Sequence, residues 1–106
     1  MNITMTNATI AKLHGLVAIY EQLVSLLRET GDERLVALAD SAGRSLAQLN
    51  EMLASEVDAK TGREMLKGLR QGLREMPKLL ASIVPECGAR LVSEFEDKLG
   101  YRFFDY

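Results

Sequence analysis

Apolar residues in the first thirty positions recur at helical intervals. Ile10, Leu13, Val17, Tyr20, Val24 and Leu27 follow one another every three or four residues, and Leu16, Ile19, Leu23 and Leu26 form a second stripe beside them. That alternation lines one side of an α-helix. At about 100° per residue the two stripes together cover roughly 200° of the helix surface, about twice what one-sided burial requires. A first helix is therefore expected over 7–30, started by Thr6 or Asn7 and packed against more than one partner.

Gly31-Asp32 reads as a tight joint, with Gly31 closing one helix in the left-handed conformation and Asp32 capping the next. A second helix over 33–57 puts Leu35, Leu38, Ala42, Leu46, Leu49 and Leu53 on one face, flanked by the small residues Ala39, Gly43 and Ala47. The stretch from Asp58 to Gly62 breaks the pattern, and Thr61 with Glu64 has the spacing of a reciprocal capping box. A third helix over 62–84 follows, with Leu66, Leu69, Leu73, Met76, Leu80 and Ile83 in register on both sides of Pro77. The preserved phase favours a helix kinked at that proline, although Pro77 also suits the first turn of a new one. Pro85 offers a first-turn position for a shorter helix over 86–99, with Leu91, Val92, Phe95 and Leu99 inward and Gly100 as its stop.

These elements predict an all-α fold: a single domain over 1–106, built as an antiparallel up-and-down bundle of three long helices and a shorter fourth, with a short aromatic C-terminal tail. Composition agrees, since 47% apolar and 26% charged residues suit a globular chain and neither a disordered nor a fibrous one. A net charge of −2 gives no global attraction to nucleic acid or anionic lipid. A lone cysteine, Cys87, forms no internal disulfide. Met1 to Tyr20 lacks a basic start followed by a long apolar run, and no stretch reads as the roughly 20 apolar residues of a membrane span. The expected home is the cytoplasm, with no membrane association.

The search for chemistry is short. Metal binding needs converging His, Cys or carboxylate ligands, and the Glu-x-x-His pairs of di-iron bundles are absent from the sequence. Cys87 has neither a nearby base nor a nucleophile signature, and reads as a small, partly buried thiol near a helix start. No catalytic, metal or cofactor residue is assigned, and the chain is expected not to be an enzyme. The single histidine, His14, lies at the edge of the polar side of the first helix. One exposed histidine on a four-helix bundle of this size resembles the architecture of histidine phosphotransfer domains, which implies a phosphoacceptor role for His14. That family places a Lys-Gly pair after its histidine, whereas Gly15-Leu16-Val17-Ala18 follows here.

Two surfaces rise above the background. Arg63, Lys67, Arg70, Arg74 and Lys78 fall within about 80° of one another on the third helix, away from its leucine stripe, while Glu64 and Glu75 point elsewhere. Such a basic ridge is solvated, meets the acidic second helix, or meets an acidic partner. The second surface is the tail, where Tyr101, Phe103, Phe104 and Tyr106 are four of the six aromatic residues in the chain. Those rings either fold back over the bundle or dock into another molecule. The hairpin from Tyr20-Glu21 through Gly31-Asp32 to Leu35 loosely resembles small bacterial secretion and flagellar chaperones, which implies an export-chaperone-like role.

The expected function is thus a non-enzymatic protein–protein interaction module, an adaptor, regulator or export-chaperone-like bundle. Its partner is another protein, with an acidic surface for the ridge, and the wide apolar arc of the first helix points to a homodimer. The alternatives are a phosphotransfer domain using His14 and a nucleic-acid-binding bundle using the ridge. The ridge has no interleaved aromatic and a negative chain behind it, which weighs against nucleic acid.

Overall fold

In the computed structural model, residues 7–55 and 57–103 are described. They form four helices and no strand: α1 (Asn7–Glu29), α2 (Glu33–Ala54), α3 (Ala59–Ile83) and α4 (Gly88–Leu99). The all-α bundle expected from the periodicity is present. Gly31 and Gly100 adopt φ of 69° and 75°, the left-handed stops after α1 and α4. Asp32 caps α2, its carboxylate accepting the Arg34 N–H at 2.9 Å.

Several boundaries differ from the sequence reading. Helix α2 ends at Ala54, with Ser55 as its cap, where 57 was expected. Helix α3 starts at Ala59, because Asp58 is its cap and accepts the Thr61 N–H at 2.7 Å; this contact holds the Asp58 carboxyl below its usual range. Thr61 thus lies inside the first turn and no Thr61–Glu64 box opens the helix. Helix α3 then runs unbroken through Pro77 and stops at Val84, which the following Pro85 keeps out of helical geometry. Pro85 belongs to the turn that follows, and α4 starts later, at Gly88, with Cys87 at its cap position.

Helix α1 is the centre of the bundle and packs against α2, α3 and α4, while α3 and α4 pair as a second hairpin. Its Leu13, Leu16, Val17, Leu23 and Leu27 are buried, so the broad apolar arc has its several partners within the chain. Leu13, Leu16, Leu23 and Leu27 join Leu35 and Ala39 of α2, Leu73, Met76 and Leu80 of α3, and Leu91, Phe95 and Leu99 of α4 in one core. By length and composition alone, Ala8–Glu29 is also apolar enough to cross a membrane, with a mean hydropathy of 1.3 in its best window. That corrects the expectation that no segment qualifies. Only four charges, Lys12, Glu21, Arg28 and Glu29, interrupt the stretch, and in the bundle the helix packs against three neighbours.

At the far end of the hairpins Arg34 forms a clasp. Its guanidinium pairs with Asp32 at 2.8 Å, with Glu86, and with the Ile83 carbonyl at 3.3 Å, joining the start of α2 to the α3–α4 turn. The hydrogen bonds from Arg34 pull Asp32 down to about 2 and lower Glu86 as well.

Candidate protein-interaction surface

The core stripe of α3 commits its other flank to solvent. With Leu66, Leu73, Met76 and Leu80 turned inward, Arg63, Lys67, Arg74 and Lys78 are exposed and Arg70 is half-buried. The ion pairs among the described residues are Arg28–Asp40 at 2.7 Å, Arg34 with Asp32 and Glu86, and Arg90–Glu94 at 3.9 Å. None involves the ridge. Glu75, the acid nearest in sequence to Arg74, instead accepts the Gln71 side-chain amide at 2.8 Å.

The acidic second helix does not neutralise the ridge either. Helix α2 packs on α1, and its Asp40 is taken by Arg28 while Asp32 is taken by Arg34. Helix α3 carries six bases against two acids in a chain whose net charge is −2, so its positive field stands against a negative remainder. Five like charges side by side repel one another, and no carboxylate of the described residues forms an ion pair with them.

Arg70 and Arg74 also reach one end of a shallow groove of about 660 Å³. Helix α1 supplies Lys12, Gly15, Leu16, Ala18, Ile19 and Gln22 to it, and the end of α4 supplies Leu99 and Tyr101. Three cations from two helices therefore rim a groove of mixed polar and apolar lining, and no carboxylate of the described residues lines it. Lys12, Gly15 and Ala18 were missed in the sequence because they sit on the polar side of α1. Their spacing of three residues was the available signal, since it stacks them on one flank.

The aromatic tail divides. Phe103 is fully buried in the core of its own chain, and its N–H donates to the Glu96 carboxylate at 3.0 Å. As a contact residue for a partner it is corrected to a core residue, because burying its ring closes the open end of α4. Tyr101 is 55% exposed and lines the groove. Phe104 and Tyr106 lie outside the described residues.

His14 is exposed on α1, and among the described residues it makes no hydrogen bond or ion pair. Cys87 is half-buried at the α3–α4 turn, and no three His, Cys or carboxylate groups of the described residues converge as metal ligands would. No family model, no curated protein and no solved structure matches the chain.

Proposed function

We propose that this chain is a protein–protein interaction module without catalytic activity, and that Arg63, Lys67, Arg70, Arg74 and Lys78 recognise an acidic surface on another protein. The observation that carries this reading is the unmixed ridge itself: five cations on one helix face, none paired within the described residues. Unpaired like charges gain the fold nothing, whereas across an interface they steer an acidic partner and disfavour a basic one. The broad arc of α1, which prompted the expectation of a homodimer, packs against α2, α3 and α4 and stays half-buried at Ile10, Ile19, Val24 and Leu26.

The test is the double reversal Arg70→Glu/Arg74→Glu. The variant is expected to melt within about 3 °C of the parent, a shift under 1 kcal/mol in a domain of this size, and to lose a salt-sensitive partner captured by the parent from its native cell. Loss of the fold would make the ridge structural. An unchanged capture would make it a solvated face. Should the captured material be nucleic acid, with affinity falling steeply as salt is raised, the nucleic-acid reading replaces this one.

A further inference from the structure

Helix α4 has 12 residues where α1, α2 and α3 have 23, 22 and 25. At about 1.5 Å per residue it is roughly 16 Å shorter than α1 and covers only part of the α1–α3 pair. The groove opens where α4 stops, between Leu99 and Tyr101 of its end, Leu16 and Ile19 of α1, and the rim cations. Its lining is polar and apolar in near-equal measure, with positive charge along the edge and no acid among the described residues that line it. At the floor, Gly15 has no atom within 4 Å of where a β-carbon would stand, so the surface there is open to a close-approaching backbone.

We infer that this groove binds an acidic amphipathic helix of a partner protein, laid against α1 beside the end of α4. Its apolar face covers Ala18, Ile19 and Tyr101, and its flanking Glu or Asp residues meet Lys12, Arg70 and Arg74. The inference rests on the reading of the α3 ridge as a partner surface and narrows it to one end of that ridge and one shape of ligand. A helix fits better than an extended strand, because the fold offers no sheet edge among the described residues to pair with one. Charge complementarity selects the acidic sequence, since a basic helix would place like charges on the rim.

The probe is a synthetic helix of about 16 residues, long enough for four turns, with leucines at i, i+3, i+4 and i+7 and glutamates on both flanks; its control has lysines in place of the glutamates. Two variants of the full chain are compared with the parent. Arg70→Glu/Arg74→Glu inverts the rim, and Gly15→Leu fills the floor in open space, at a helix position where leucine is favoured over glycine. The parent should bind the glutamate peptide and not the lysine peptide, more weakly at high salt. Both variants should lose at least about tenfold in affinity, or 1.4 kcal/mol, and Gly15→Leu should melt no lower than the parent.

Loss in the charge reversal with full binding by Gly15→Leu would overturn the groove while leaving the ridge as a partner surface. Equal binding of the two peptides, or of neither, would overturn the acidic-helix ligand, and the native capture would then judge the ridge independently. Binding that emerges only after residues 104–106 are removed would assign the groove to the chain's own end. Self-association of the parent that Gly15→Leu abolishes would assign it to a second copy. Either of these would replace the inferred partner.

Discussion

Tyr20 shows how a single residue fixes the contact between two helices. It is half-buried between α1 and α3, its hydroxyl donates to the Leu69 carbonyl at 2.7 Å, and burial pushes its pKa up to about 12. Gly72 makes room for it, because a β-carbon there would stand 2.3 Å from the hydroxyl oxygen. Gly72→Ala alone gains about 1 kcal/mol of helix propensity and gives up a hydrogen bond of about the same worth. In a Tyr20→Phe background the obstruction is gone, and Gly72→Ala should be more favourable by about 1 kcal/mol than in the parent. Denaturant melts of the four proteins measure that coupling, and purely additive effects would show that the two residues are independent. Gly68 and Gly72 stand four apart on one flank of α3. Only Gly72 meets a neighbour, and Gly68 faces open space. Spacing reveals which side of a helix is small, but where along its length the next helix arrives depends on crossing geometry that only the packed bundle sets.

Between elements, backbone meets backbone where α4 begins. A β-carbon on Gly88 would lie 2.9 Å from both the Ala81 α-carbon and the Leu80 carbonyl oxygen. Those are backbone atoms of α3 and cannot rotate aside, so Gly88→Ala should destabilise by about 1–3 kcal/mol by forcing α3 and α4 apart. An unchanged denaturation midpoint would mean the hairpin has slack at its base. The helices themselves were legible because Leu13, Leu27, Leu73 and Leu80 hold a strict three-and-four rhythm, and the stops because Gly31 and Gly100 supply the positive φ that left-handed closure needs. Helix starts were harder. Asp58 and Thr61 both carry side chains able to cap, and the carboxylate at 58 holds the position, being charged where the helix N-terminus favours an anion. Pro85 fits a first turn and a connecting turn equally well, and the need to bring Gly88 against α3 settles it in favour of the latter.

Across the whole molecule, opposite charges are used sparingly and in particular places. Arg28 with Asp40 ties α1 to α2, and Arg34 with Asp32 and Glu86 ties α2 to the α3–α4 turn. The ridge on α3 takes no part in either tie. Its five residues could be found from the sequence because like charges recurred on one helix face. That they would make no ion pair with the described residues could not, since pairing with α2 depended on whether α2 lies along α3 or along α1. Lys12 escaped notice for the same reason, as nothing in α1 alone indicates that Arg70 and Arg74 share its groove. The central claim is that the fold does not use the charge of this ridge, and the melting temperature of Arg70→Gln/Arg74→Gln tests it most directly. Removing two of five mutually repelling cations should leave the melting temperature unchanged or raise it slightly, more so at low salt than at high. A fall of more than about 5 °C, close to 1 kcal/mol for a domain of this size, would show that the ridge is holding the chain together and would contradict the proposal that it is a surface kept for a partner.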